Sequence, residues 1–383
     1  MTVTAPAGFR AAGVTAGLKH SGRPDLALIV NDGPRHAAAG VFTSNRCKAN
    51  PVLWSEQALK DGVVRAVVVN SGGANCYTGA PGFQNAHATA EEVAAGLGIG
   101  AIDVQVGSTG LIGVPNDRDL LLAGARAAVD ALSTDGGPRA AEAIMTTDTV
   151  AKQVIVPGQG YTIGGIAKGA GMLAPGLATM LVYLTTDADV DADTCDRALR
   201  AATHTTFDRL DSDGCMSTND TVLLLASGAS GTAPAYDEFA ANVRHACHDL
   251  AMQLLTDAEG SEHDIAIEVR NAAGEDEAVE VARAVARSNL FKCAVFGRDP
   301  NWGRILAAVG TTQATFDPTD LDVALAGVWV CRNSGPGEPA ESVDLTPRWV
   351  DVTIDLKAGG STATVWTNDL THVYVHENSA YST

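Results

Sequence analysis

The chain of 383 residues is 46% hydrophobic and 19% charged, a composition that favours a large folded core over disorder. Its 45 acidic and 26 basic residues give a formal net charge of −19, which excludes a protein that binds nucleic acid through a basic surface. No apolar run approaches the roughly 20 residues of a membrane span, and the N-terminus lacks the pattern of a secretion signal. Seven cysteines, an odd number without a C-x-x-C pair, favour a reducing cytoplasm over a disulfide framework or a thiolate zinc site.

Charge is divided unevenly along the chain. Residues 1–178 carry 13 basic and 13 acidic residues, whereas residues 179–383 carry 13 basic and 32 acidic ones. The simplest interpretation of this change near the middle is two lobes with different solvated faces.

The predicted elements mix strands and helices. Apolar, β-branched runs predict strands at Leu26–Val30, Val64–Asn70, Val104–Gly107, Gln153–Val156, Tyr161–Ile166, Thr179–Thr185, Thr221–Ala226, Ile265–Val269, Val323–Ala326 and Trp349–Asp355. Apolar residues spaced by three and four predict helices at Gln84–Leu97, Asp117–Leu132, Ala140–Met145, Asp193–Thr205, Tyr236–Ala258 and Asp276–Ser288. Because strands and helices come in groups rather than alternating, the pattern predicts an α+β fold with layered αββα packing.

Several well-defined catalytic and binding motifs are absent. The chain has no G-x-x-x-x-G-K-[ST] phosphate loop, no H-E-x-x-H metal site and no G-x-S-x-G nucleophile turn. Asp187, Asp189 and Asp191 imitate the start of a calcium loop, but Ala192 and Ala198 stand where Gly and Glu are required. The sequence therefore predicts neither a metal nor a cofactor.

The segment that carries chemistry lies at Gly164–Leu181. A strand ends at Lys168 beside a glycine-rich turn, Pro175-Gly176 makes a second turn, and an apolar strand begins abruptly with Thr179. Because Ala178 is small, its carbonyl group, which precedes Thr179, is sterically open. The Thr179 hydroxyl could attack this carbonyl in an N→O acyl shift, and hydrolysis of the resulting ester would cut the chain. A terminal threonine then combines a hydroxyl nucleophile with its own α-amine as base, whose ordinary pKa is about 7.7–8.0. From the residues alone, an ordinary strand threonine remains the favoured interpretation of Thr179.

The run Lys168–Leu181 resembles the processing and active-site motif of the ornithine acetyltransferase family, also called glutamate N-acetyltransferase. The resemblance extends, in family order, over nearly the whole chain. The matching motifs are Asn70–Asn75, Gly107–Gly113, Met145–Asp148, Ser217–Thr221, Asp257–Gly260, Asp299–Arg304 and Glu377–Tyr381.

The resemblance implies self-cleavage between Ala178 and Thr179, which gives an α chain of 1–178 and a β chain of 179–383. It implies that Thr179 is the nucleophile and that Thr109 and Gly110 form the oxyanion hole. The positions that match the family's substrate contacts are Thr146, Lys168, Thr179, Glu259, Asn378 and Thr383. For Asn75, Asn301 and Arg304, which also lie in family motifs, we expect structural support.

The implied fold is a layered αββα sandwich like that of self-processing aminopeptidases, and the implied assembly is a heterotetramer of two α and two β chains. The implied reaction moves the acetyl group of N2-acetyl-L-ornithine to L-glutamate by a ping-pong mechanism through an acetyl-Thr179 ester. Three alternatives remain open. The enzyme could be bifunctional and also use acetyl-CoA as donor, it could be a related hydrolase or aminopeptidase, or the chain could be a binding protein that never cleaves itself.

Overall fold

The computed structural model describes residues 2–172 and 180–380. Its strands, in chain order, are β1 (Phe9–Val14), β2 (Leu26–Asn31), β3 (Ala37–Phe42), β4 (Ala66–Asn70), β5 (Val104–Ser108), β6 (Lys152–Pro157), β7 (Thr162–Lys168), β8 (Leu181–Thr186), β9 (Thr221–Ala226), β10 (Asp264–Ala272), β11 (Asp322–Leu325), β12 (Val328–Arg332), β13 (Gly335–Pro336), β14 (Trp349–Asp355) and β15 (Ser361–Asn368). Its helices are α1 (Asn50–Ala58), α2 (Gly79–Leu97), α3 (Arg118–Asp130), α4 (Gly137–Ala143), α5 (Ala192–Thr205), α6 (Tyr236–Thr256), α7 (Glu275–Ala286), α8 (Asn289–Phe296), α9 (Trp302–Val309) and α10 (His372–Ala380).

Two sheets pack face to face between two layers of helices. The first has the order β1-β2-β4-β5 and the second the order β3-β9-β8-β7-β6. Strand β8 shows how the sequence specifies the layers, because its side chains alternate between the two faces. Leu181 and Tyr183 lie in the core shared by the sheets, whereas Val182 and Leu184 pack with α5 and α6. The outer face of the first sheet packs against α2 and α3. The predicted layered αββα sandwich is confirmed.

A third sheet builds a separate core from the last part of the chain. Its order is β13-β12-β11-β14-β10-β15, and it packs against α7, α8 and α9. The third sheet is joined to the rest of the molecule through β10, which begins eight residues after the end of α6.

Local chemistry explains several helix boundaries. The side chain of Asp117 accepts a hydrogen bond from the amide of Leu120 at the start of α3, and Asp191 does the same for Thr194 at the start of α5. Helix α2 ends at Gly98, whose φ of +68° suits a left-handed C-cap.

Every predicted helix is present, and the predicted strands fall on observed strands, two of them with the predicted bounds (β9 and β14). The start of the strand predicted from Thr179 lies outside the described residues. Five strands were not predicted: β1, β3, β12, β13 and β15. Strand β3 shows one reason: its sequence Ala-Ala-Ala-Gly-Val-Phe is poor in β-branched residues, and its pairing with β9 stabilises it as a strand.

The second sheet spans the expected cleavage position. Strand β7 ends at Lys168 and pairs antiparallel with β8, so that Lys168 lies opposite Leu181. Strand β8 pairs in parallel with β9, which places Leu181 beside Thr221. Strand β5 of the first sheet ends at Ser108, directly before Thr109 and Gly110. The fold therefore collects the ends of several strands at one place.

Candidate active site

Thr109 and Gly110 form a tight loop after β5. The amide of Thr109 donates to the carbonyl of Asn70 over 3.0 Å, which fixes the start of the loop. Gly110 has a φ of +123°, and a Cβ there would lie 3.0 Å from the amide nitrogen of Gly73, so the position requires glycine. Within residues 2–172 and 180–380 the amide of Gly110 donates no hydrogen bond. A hydroxyl and an amide on adjacent residues are suitable donors to a developing oxyanion.

Lys168 lies against this loop. The side chain is buried, and its ammonium donates to Thr109 Oγ1 over 2.9 Å. Because Thr109 Oγ1 accepts this bond, its own hydroxyl hydrogen remains available to a second acceptor. Burial lowers the pKa of Lys168, and the neighbouring carboxylate of Asp148 opposes that shift. The structure thus brings three of the expected residues together: Thr109, Gly110 and Lys168.

Asp148 organises the residues around Lys168, a role that the sequence analysis did not assign. Its Oδ1 accepts from the amide of Gly169 over 2.7 Å, and its Oδ2 accepts from the amide of Thr146 over 2.9 Å. Oδ1 also accepts from the buried ammonium of Lys152 over 2.7 Å. Burial would raise the pKa of Asp148, but Lys168 and Lys152 more than offset this, and the pKa lies below its usual value. The available signal was the position of Asp148 in the recognised motif Met145–Asp148.

Thr109, Gly110, Asp148 and Lys168 form the group that we call the corner. Lys152 connects this corner to the part of the chain that carries Glu259. Its ammonium also contacts Asp257 Oδ2 at 2.5 Å, and the same oxygen accepts from the amide of Thr149 over 3.0 Å. Asp257 lies two residues before Glu259. The buried ion pairs of Lys152 therefore hold two distant chain segments in one arrangement.

Thr146 lies on the other side of the loop, where it lines a cavity of about 800 Å³ together with Gly110, Lys19, His20 and Arg23. The ammonium of Lys19 donates to the carbonyl of Met145 over 2.7 Å. Burial, followed by the nearby guanidinium of Arg23, lowers the pKa of Lys19 to about 8. The cavity therefore combines a cationic wall with access to Gly110.

Glu259 and Asn378, two positions that match the family's substrate contacts, meet in the structure. Asn378 Nδ2 on α10 donates to Glu259 Oε2 over 3.0 Å. The amide of Glu259 donates to the carbonyl of Ala170 over 2.9 Å, and a Cβ on Gly171 would lie 2.7 Å from Glu259 Oε2. The glycine thus lets the chain pass directly from Lys168 to Glu259, and the four-residue run 168–171 reaches both.

Asp220 is a second residue whose role the sequence analysis missed, although its motif was recognised. Its Oδ1 accepts from the amide of Met180 over 3.2 Å, and the amide of Thr221 donates to the Met180 carbonyl over 3.2 Å. Its Oδ2 is buried without a hydrogen-bond partner in the described structure. Burial raises the pKa of Asp220 well above its usual value, and the Met180 amide and Lys168 offset this only in part. A buried carboxyl group with a raised pKa thus holds Met180.

Thr179, Ala178 and Thr383 lie outside the described residues, so their predicted roles remain predictions. The three residues in family motifs for which structural support is expected are described. Asn75 donates to the carbonyl of Gly82 over 2.9 Å, and Arg304 donates to the carbonyl of Leu290 over 2.6 Å. Asn301 directly precedes α9, where its Nδ2 donates to Asp299 Oδ2 over 3.0 Å. These contacts are of the supporting kind.

The described residues offer no metal centre: no three His, Cys, Asp or Glu side chains among them are grouped to hold an ion. No helix in the described part of the chain is long and apolar enough to cross a membrane.

Comparison with known proteins places the chain in a family. The ArgJ family model matches residues 10–383. The chain is 65% identical over 382 residues to the arginine biosynthesis bifunctional protein ArgJ of Streptomyces coelicolor, with 100% of both chains covered. It is 61% identical over 383 residues to the protein of that name from Thermobifida fusca, again with 100% of both covered.

Two solved structures are also similar. Ornithine acetyltransferase complexed with ornithine from Mycobacterium tuberculosis is 54% identical, with 47% of this chain and 96% of that chain covered and a TM-score of 0.44. The ArgJ protein of Bacillus halodurans is 35% identical, with 51% of this chain and 97% of that chain covered and a TM-score of 0.49. On the family match and the identities to curated relatives, the chain belongs to the ArgJ family, the acyltransferases of arginine biosynthesis.

Proposed function

We propose that this ArgJ-family acyltransferase moves the acetyl group of N2-acetyl-L-ornithine to L-glutamate, with Thr179 as the nucleophile. The observation that carries the proposal is the bond from the buried Lys168 ammonium to Thr109 Oγ1, beside the amide of Gly110. This group can stabilise the negative charge that forms on a carbonyl oxygen under attack. Glu259 and Asn378 lie at the far end of the same short segment, where they suit an amino-acid substrate.

The proposed reaction has two halves. In the first, the Thr179 hydroxyl attacks the acetyl carbonyl, its proton passes through the α-amine of Thr179 to the leaving nitrogen, and ornithine departs. In the second, the deprotonated amine of glutamate attacks the ester carbonyl, the C–O bond breaks, and the proton returns to Thr179. Both tetrahedral intermediates place an oxyanion against Thr109 and Gly110, and one such donor contributes on the order of 10²–10³ in rate.

The proposal includes self-cleavage between Ala178 and Thr179, which gives an α chain of 1–178 and a β chain of 179–383. The second sheet supports continued association of the two chains, because strands from both chains pair within it. Strand β7 of the α chain pairs with β8 of the β chain, and β3 of the α chain pairs with β9 of the β chain. The Lys152–Asp257 ion pair crosses the same boundary. We further propose a heterotetramer of two α and two β chains in the cytoplasm. The free state of all seven cysteines supports a reducing compartment.

A second activity, acetyl transfer from acetyl-CoA to glutamate, is favoured by the cavity of about 800 Å³ beside Gly110. Lys19 and Arg23 give this cavity a cationic wall that suits the phosphates of a thioester donor. Production of N-acetylglutamate from acetyl-CoA and glutamate, with no acetylornithine present, would support this activity. Its absence would restrict the enzyme to acetylornithine.

The experiment that tests the main proposal is intact-mass spectrometry of the denatured, untagged protein after brief incubation with N2-acetyl-L-ornithine. We expect two chains separated between Ala178 and Thr179, with one acetyl group on the chain 179–383. A single chain of 39.3 kDa would contradict the proposal. Two chains that release acetate without requiring glutamate would identify a hydrolase instead.

A further inference from the structure

A polar cavity of about 200 Å³ lies beside Glu259 and shares no lining residue with the 800 Å³ cavity. We call it the side-chain pocket; the lining residues that matter here are Ser212, Asp213, Glu259, Lys292 and Asp369. Its volume suits the side chain of one amino acid. Since Glu259 is an expected substrate contact, the pocket continues the proposed active site.

Lys292 on α8 is the unusual member of this pocket. The residue is only 5% exposed, and its ammonium donates to the backbone carbonyl of Ser212. No other hydrogen bond of this ammonium, and no carboxylate oxygen within 4.0 Å of it, occurs among the described residues. An ammonium group has three donors, and burial of a charge without an ionic partner is costly. Lys292 therefore carries a charge for which residues 2–172 and 180–380 provide no contact ion pair.

The acidic residues around Lys292 are bonded elsewhere. Both oxygens of Asp369 are occupied, since Oδ1 accepts from the amides of Glu262 and His263 and Oδ2 contacts His263 Nδ1 at 2.6 Å. Asp213 accepts from the amides of Met172 and Cys215. Burial lowers the pKa of Lys292, and the more distant charges of Asp213, Asp211 and Asp369 oppose this shift. These carboxylates surround the ammonium without forming a contact ion pair with it.

We propose that the side-chain pocket binds the side-chain carboxylate of the acceptor amino acid, with Lys292 as its ionic partner. The inference rests on the proposed function and deepens it. A ping-pong enzyme of this kind holds a cationic side chain in one half-reaction and an anionic one in the other. Glu259 supplies a carboxylate for the cation and Lys292 an ammonium for the anion, and both line one cavity. Lys292 is thus a specificity-determining residue for acidic acceptors.

The test compares glutamate with glutamine, its neutral isostere, as acceptor for the wild type and for Lys292→Met. We expect the ratio of kcat/KM for glutamate to that for glutamine to fall about 10- to 100-fold in the variant, the scale of a lost charged hydrogen bond. Acetylation of the enzyme by N2-acetyl-L-ornithine, followed by intact mass, shows separately whether the variant still forms the acetyl-enzyme. Lys292→Arg should restore part of the preference for glutamate.

Lys357→Met is the matched control, because Lys357 is ion-paired with Asp320 and Asp322 in the third sheet, far from the pocket. It should leave the acceptor ratio unchanged. An unchanged ratio in Lys292→Met, with acetylation intact, overturns the inference. If Lys292→Met does not fold, the wild type decides: equal use of glutamine and glutamate means that no cation recognises the carboxylate. Failure of the wild type to form any acetyl-enzyme would instead count against the proposed function.

Discussion

The corner around Lys168 and the side-chain pocket around Lys292 both bury a lysine, but the corner also adjoins a second buried lysine, Lys152, which is paired with two carboxylates. Near Lys168, the carboxylate of Asp148 is held by two amides and by Lys152, which is itself paired with Asp257. Near Lys292, the ammonium contacts only a backbone carbonyl of the described chain. Lys168 itself donates only to Thr109 Oγ1 among the described residues, so the contrast lies in the Asp148–Lys152–Asp257 network beside it, whereas we propose that a ligand pairs with Lys292.

This difference matches what each region has to do in the proposed reaction. The acetyl group and its oxyanion are the same in both half-reactions, so a rigid, charge-balanced corner serves both. The side chains of the two substrates carry opposite charges, so their pocket needs groups of both signs. We therefore assign the common chemistry to the corner around Lys168 and the choice of substrate to the side-chain pocket around Lys292.

The largest expected effect comes from Thr179→Ala, which removes the proposed nucleophile on which both half-reactions depend. Without the hydroxyl, we expect no cleavage between residues 178 and 179, no acetyl adduct, and a loss of kcat of roughly 10⁴-fold or more. Gel electrophoresis and intact mass would measure cleavage, and a coupled assay would measure activity. Thr205→Ala, on the exposed end of α5, is the control. Normal cleavage of Thr179→Ala would show that another residue is the nucleophile.

Asp148→Asn should disrupt the charge-balanced corner. Removal of one partner from a buried ion pair typically costs about 3–5 kcal/mol of unfolding free energy. Lys168 would also lose a neighbouring anion, which lowers its pKa further. Since the protonated form is the one that donates to Thr109, the alkaline limb of the kcat/KM profile should move to lower pH.

The pH profile of Asp148→Asn separates this effect from a general loss of stability. The other charged groups that act on Lys168 remain in place; these are Lys152, Asp220, Glu259 and Lys19. Asp322→Asn is the control, because Asp322 is also buried and paired with two cations, Arg332 and Lys357. It should lower the melting temperature without moving the alkaline limb. If the alkaline limb of the kcat/KM profile did not move in Asp148→Asn, the role of Asp148 would be structural only.

Glu259→Gln tests the role of the carboxylate in the side-chain pocket. The change keeps the shape and the oxygen that accepts from Asn378, but removes the charge proposed to hold a cationic side chain. We expect KM for N2-acetyl-L-ornithine to rise about 10- to 100-fold and KM for glutamate to change less. Initial rates with each substrate varied in turn would measure both. Equal increases would indicate that Glu259 binds a feature that the two substrates share.

The smallest effect is expected from Asp220→Asn. Burial raises the pKa of Asp220 well above its usual value, which disfavours its charged form, and an amide of the same shape can still accept from Met180. Cleavage between residues 178 and 179, followed by intact mass over time, should proceed nearly as in the wild type. Asp220→Ala removes the acceptor and should slow cleavage about tenfold or more. If Asp220→Asn were as slow as Asp220→Ala, the negative charge would be required.

Much of the fold could be predicted because long apolar runs leave few alternatives. Strands β8 and β9 are buried on both faces, and their unbroken apolar sequence already indicates this. Strand β3 and helix α8 were missed, because an alanine-rich strand and an eight-residue helix carry weak local signals and depend on what they pack against.

The amino-acid sequence was sufficient to predict the layered α+β class, the family, and Thr109, Gly110, Lys168, Glu259 and Asn378 as candidate site residues. The surroundings of the ionisable groups, in contrast, could be read only from the folded molecule. Asp148 meets Gly169 across 21 residues, Asp220 meets Met180 across 40, and Lys292 meets Ser212 across 80. Burial and the nearest opposite charge set the behaviour of an ionisable side chain, and both arise only when distant segments pack together.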